Sequence, residues 1–151
     1  MRFMIIRKAD DNTESGRLPP REMLVAMGKY RDEMINAGVL LGGDGLQSSA
    51  TGARIHLSAG KLTVTDGPFT EAKELVAGYV LVEVESKEEA IKWAKRCPTL
   101  CGTADVEIEV RQIIAASDFP SELTRELTNM PWTTVAEGAA ELLRPRTATK
   151  R

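Results

Sequence analysis

The chain reads as an α+β protein in which two helices pack on one face of an antiparallel sheet. Three observations predict this. Short segments of strand character alternate with two longer stretches in which apolar residues recur at helical spacing. The segments follow one another as strand, helix, hairpin, strand, helix, strand, and glycine or proline separates several of them. Two of the strands are apolar on both faces, as strands inside a sheet should be.

With 151 residues the chain fits one domain carrying an appendage. Apolar residues make up 42% and charged residues 28%, which suits a globular protein and argues against global disorder or a fibrous repeat. The net charge of −2 gives no long-range field that would attract phosphates, so nucleic acid is not an expected ligand. No stretch approaches the roughly 20 apolar residues of a membrane span, and the start Met1-Arg2-Phe3-Met4-Ile5-Ile6-Arg7 is too short for a signal core. The expectation is a cytoplasmic protein without membrane contact. Cys97 and Cys101 enclose Pro98-Thr99-Leu100, which is neither a C-x-x-C redox motif nor half of a paired zinc site. Reduced thiols and no metal are expected.

Met1 to Lys8 predicts an interior strand, apolar through Phe3/Ile5 on one side and Met4/Ile6 on the other. A polar loop follows. Pro19-Pro20 then opens a helix in which Met23, Met27, Tyr30 and Met34 form a core stripe, and Gly38 ends it. Val39-Leu40-Leu41 leads into Gly42-Gly43-Asp44-Gly45, where the backbone either turns or lets a ligand come close. A turn is the simpler reading, and no G-x-x-x-x-G-K-[ST] pattern signals a nucleotide. Arg54 to Ser58 and Lys61 to Asp66 predict a hairpin across Ala59-Gly60. Its register would set Leu57 opposite Leu62 and Ile55 opposite Val64 on one face, and His56 opposite Thr63 on the other.

Gly78 to Glu85 predicts a central strand with Val80, Val82 and Val84 on one side and Tyr79 and Leu81 on the other. Ser86-Lys87-Glu88-Glu89 is a capping box opening a second helix, on which Ala90, Ala94 and Cys97 share a face before Pro98 stops it. Val106, Ile108 and Val110 then alternate with Glu107, Glu109 and Arg111 in a last strand. This order matches a ferredoxin-like arrangement spanning residues 1–116. One sheet face would stay uncovered, and a homodimer that buries it is the expected remedy. Residues 117–151, divided by Pro120, Pro131 and Pro145, read as a helical or partly disordered extension with a basic end; Leu123 and Leu127 share a helical face in it.

Period-two alternation places Asp66 on the same hairpin face as Leu62 and Val64, at the end of an apolar row. Gly67-Pro68 then enforces a turn. A carboxylate there would either cap the turn by accepting backbone N–H bonds or sit half-desolvated at a cleft rim.

The segment Asp66-Gly67-Pro68-Phe69-Thr70-Glu71-Ala72-Lys73-Glu74 resembles the signature of the YCII-related family, DGPF type, and Gly42-Gly43-Asp44-Gly45-Leu46 is similar to its glycine-rich loop. The Arg2-to-Arg7 strand, Gly78-Tyr79 and Trp93-Ala94-Lys95-Arg96-Cys97-Pro98 support the resemblance, which covers about residues 1–114. The resemblance implies a dimeric α+β barrel with a cleft near the signature aspartate. A few relatives eliminate chloride from, or isomerise, small oxygenated ring compounds, and some are encoded beside alternative sigma factors. Fold analogy names no reaction. Where the enzymatic relatives pair an early histidine with that aspartate, this chain has His56 alone, on the opposite hairpin face.

Two functions compete on these grounds. In the first, Asp66 is a general base and Arg7, Asp44 or Lys73 orients an anionic or polar small molecule without a cofactor. In the second, the chain is a non-catalytic module that senses a metabolite, or whose C-terminal extension docks on a protein partner such as a sigma factor. Metal binding by Asp44, His56 and Asp66 fails on facing and on the lack of a second histidine.

Overall fold

The computed structural model describes residues 1–71, 74–101 and 105–128. In chain order the elements are β1 (Arg2–Lys8), α1 (Asp11–Glu14), α2 (Arg21–Asn36), β2 (Leu40–Gly45), β3 (Ala53–Ser58), β4 (Lys61–Asp66), β5 (Val76–Glu83), α3 (Lys87–Lys95), β6 (Ile108–Gln112) and α4 (Ser121–Thr128). The main sheet runs β2-β5-β1-β6 with every neighbouring pair antiparallel. This α+β arrangement is compatible with the ferredoxin-like order expected. β1 and β5 are central, as their two apolar faces require.

Two expectations for the middle of the chain need correction. Leu40–Gly45, expected to turn within its glycines, is the edge strand β2, paired to β5 from Leu40↔Val82 to Gly45↔Gly78 with an irregularity between Leu40 and Gly42. Glycine has low strand propensity, but a partner strand supplies the hydrogen bonds that decide the matter here. The hairpin formed by β3 and β4 keeps the predicted register, Ile55↔Val64, His56↔Thr63 and Leu57↔Leu62, yet it stands apart as a two-stranded sheet. Its turn places Ala59 at φ 47° and Gly60 at φ 77°, the twist that two-residue hairpin turns favour. The polar loop before α2 also contains the short helix α1, capped by Asp10.

α2 and α3 cover one sheet face. Phe3 and Ile5 of β1, Val80 and Val82 of β5 and Leu40 of β2 meet Tyr30 and Met34 of α2 and Ala90 and Ala94 of α3 in a single core. Pro20 occupies the N-cap of α2 without a side-chain bond, and Gly38, just beyond its end, takes φ 71°. Ser86 caps α3 by accepting the Glu89 N–H, and the Glu89 carboxylate accepts the Glu85 N–H. The opposite sheet face carries Met4, Ile6, Tyr79 and Leu81, half-buried and, among the described residues, with no second layer over them. Past Ala115 the chain passes through a 3-10 turn, Ala116–Asp118, into α4. The basic C-terminal end lies outside the described residues. Among the described residues no helix is long and apolar enough to cross a membrane.

Candidate functional site

The register of the main sheet lines up Gly45, Gly78, Arg7 and Ile108 in one row across all four strands. This row lies on the helix-covered face, two residues along from the buried row that contains Val80 and Ile5. Two of its four positions have no side chain, so α2 passes over a gap instead of a packed layer. A cavity of about 140 Å³ results. Its sheet wall comes from Ile5, Arg7, Gly45, Gly78, Val80 and Ile108, its helix wall from Met27, Tyr30 and Arg31, and its end from Cys97 and Thr99. Gly78 is also forced by close packing: a Cβ there would lie 2.9 Å from the Asp44 carbonyl oxygen and 3.2 Å from Gly45 Cα. Gly45 is under no such constraint, and a Cβ on it meets nothing within 4 Å.

Arg7 is the charged group of the wall. Its Nη2 donates to Asp10 Oδ2 at 2.7 Å, with the two side chains 20% and 18% exposed. Its Nε is buried and has no hydrogen-bond partner among the described residues. A buried guanidinium N–H without an acceptor costs about 1–3 kcal/mol or more, so the position favours an incoming acceptor. Arg31 adds a second positive charge, fixed by donation from Nη1 to the Gly43 carbonyl at 2.7 Å. Asp44 borders the cavity on the edge strand, but its pairing with Tyr79 puts its side chain on the sheet face opposite Gly45 and Arg7.

Asp10 and Tyr30 are set by their surroundings. Burial acts to raise the Asp10 carboxyl, but the Thr13 N–H at 2.8 Å, the Arg7 charge and the Thr13 hydroxyl together hold it below the ordinary carboxylate value. Burial, aided by the neighbouring Cys97, pushes the Tyr30 phenol well above its usual range. Its hydroxyl donates to the Trp93 carbonyl at 2.9 Å, which fixes the ring in the cavity wall as a neutral group. Cys97 Sγ lies 3.2 Å from Thr99 Oγ1 at the closed end.

Arg7 lines the cavity and Asp44 borders it with its side chain on the other sheet face, while Asp66 is not among the lining residues. Asp66 ends β4 opposite Ala53, is exposed, and lines no part of the cavity. The cap reading of Asp66 is corrected as well. Its carboxylate accepts no hydrogen bond among the described residues, because the N–H groups that follow it are taken by others: Gly67 N–H by the Gly52 carbonyl at 2.9 Å and Phe69 N–H by Ser49 Oγ at 3.0 Å. Lys73 lies outside the described residues.

The signature is built into the root of the hairpin. A Cβ on Gly67 would fall 1.8 Å from the Ser49 carbonyl oxygen, so only glycine fits. The Arg54 guanidinium stacks 4.1 Å above the Phe69 ring. Ser49 Oγ, which accepts from Phe69, itself donates to Glu14 Oε2 at 2.5 Å. Sequence reasoning assigned Tyr30 and Cys97 to the core and passed over Arg31, Thr99 and Asp10. Only the pairing of β2 with β5, which the glycines concealed, would have revealed the gap they surround.

Comparison with known proteins agrees with this architecture. A YCII-related domain matches residues 1–115. An uncharacterised protein of Rhizobium meliloti (strain 1021) is 33% identical over 75 residues, which is 50% of this chain and 57% of that protein. The matched stretch therefore spans less than two thirds of that curated relative's length. Since the family match takes in both halves of the sheet and both covering helices, the chain belongs to the YCII-related family.

Proposed function

We propose that this chain is a cytoplasmic homodimer, of the DGPF type within its family, that binds a small anionic molecule in the cavity beneath α2. The observation that carries the reading is the glycine row of the sheet, which opens a 140 Å³ space directly against an arginine with an unused buried donor. An apolar cavity of about 150 Å³ takes a molecule the size of benzene, so the ligand has about six non-hydrogen atoms. Arg7 and Arg31 are the charged side chains of the cavity wall among the described residues and favour a carboxylate or similar anion. Binding is better supported than turnover, because Tyr30 is held neutral and Asp66 stands away from the cavity. The uncovered apolar sheet face supports the dimer, and the buried free thiol of Cys97 suits a reducing compartment.

The test is titration of the protein with acetate, propionate and inorganic phosphate, followed by amide chemical shifts at Gly45 and Gly78. Saturable shifts are expected with at least one anion. They should vanish in Arg7→Met and weaken about tenfold or more in Gly45→Leu, whose side chain enters the open space. Equal binding by Arg7→Met, or no saturable shift with any of the three, refutes the assignment.

A further inference from the structure

We infer that the β3–β4 hairpin is an arm that lies, apolar face down, on a second copy of this chain. The inference rests on the homodimer reading and goes beyond it by assigning the arm a place in the interface. All six residues of each strand are exposed. Ile55, Leu57, Leu62 and Val64 are 71%, 63%, 66% and 67% exposed, and the pairs Ile55↔Val64 and Leu57↔Leu62 put all four on one face. The other face carries His56 and Thr63. Such one-sided patterning is that of a hairpin lying on a surface.

An isolated two-stranded hairpin is marginal in water. This one pairs with no strand of the main sheet, and what holds it acts at its base: Gly67 on Gly52, Phe69 on Ser49, and Arg54 over the Phe69 ring. The base is anchored while the apolar face is left bare. The occupant follows from area. Four such side chains offer on the order of 400 Å² of apolar surface. A stable interface takes about 800 Å² from each partner. The uncovered sheet face, with Met4, Ile6, Tyr79 and Leu81, supplies apolar surface toward the remainder. In a two-fold dimer both patches are used by both copies.

Sedimentation of the full chain across micromolar concentrations tests this, with an arm variant, Leu57→Lys combined with Leu62→Glu, and a sheet-face variant, Ile6→Lys. The parent chain should be a dimer. The arm variant should raise the dissociation constant about 100-fold or more, as loss of a central interface contact does, while its far-ultraviolet spectrum keeps the parent's helix signal. If the arm variant dimerises like the parent while Ile6→Lys does not, the arm inference fails and the sheet-face dimer stands. A parent chain that sediments as a monomer overturns both.

Discussion

Asp10 separates two roles that one carboxylate performs at once. It caps α1 by accepting the Thr13 N–H at 2.8 Å, and it neutralises Arg7 at 2.7 Å on the cavity wall. Asparagine caps a helix about as well as aspartate, so Asp10→Asn keeps the first role and removes the second. At about one-fifth exposure the pair lies between a surface and a buried ion pair, and its loss should cost about 1 kcal/mol. Asp10→Ala removes both roles and should cost about 2 kcal/mol. For a domain of this size these losses lower the melting temperature by about 2–4 °C and 4–8 °C. Because the Asp10 carboxyl is held below its unfolded value of 3.8, its contribution is present above that pH and fades as pH falls through the lower folded value. The acid limb of stability should therefore flatten in Asp10→Asn. Freed of its internal counter-ion, Arg7 should also bind the anion more tightly, so added acetate or phosphate should restore the asparagine variant more than it stabilises the parent. Urea unfolding at pH 7 with and without the anion measures both effects. Equal losses for the two variants, or an asparagine variant indifferent to anions, would refute the reasoning.

Two further substitutions have definite expectations. Tyr30→Phe removes the hydroxyl donated to Trp93 and should cost about 1 kcal/mol at pH 7. Since the folded phenol is raised above its unfolded value of 10.0, the parent should lose stability as pH climbs past 10 and the phenylalanine variant should lose less, which alkaline urea titrations would show. Asp66→Asn should shift stability by no more than about 0.5 kcal/mol and leave anion binding intact, because the carboxylate is exposed and accepts no bond among the described residues. A loss of binding in that variant, read by the same amide shifts, would return Asp66 to the site.

Periodicity made most of the fold legible. Val80 and Val82 of β5, Met27, Tyr30 and Met34 of α2, and Ala90 and Ala94 of α3 with Cys97 just beyond it pack as their spacing predicts, because burial is what that spacing encodes, while Met23 of the same stripe lies outside the core. The hairpin register was equally readable, since a two-residue turn fixes it. Placement was not. Nothing local distinguishes a hairpin inside a sheet from one beside it, and the glycines that make β2 look like a turn are what open the cavity. Of the candidates legible in the sequence, Arg7 faces the cavity, while Asp44 borders it with its side chain on the other sheet face. Asp66 drew attention because the signature surrounds it, but the tight fit belongs to Gly67 and Phe69.

The four residues of α1 bridge two distant parts of the molecule. Asp10, at its head, grips the cavity arginine, and Glu14, at its foot, grips Ser49, which in turn holds Phe69 beneath the hairpin. The helix is thus a strut with one end in the proposed binding site and the other under the proposed arm. An anion that competes with Asp10 for Arg7 would slacken the strut at its head and alter the footing of the arm, so ligand occupancy and pairing of two copies would be thermodynamically linked through one turn of helix.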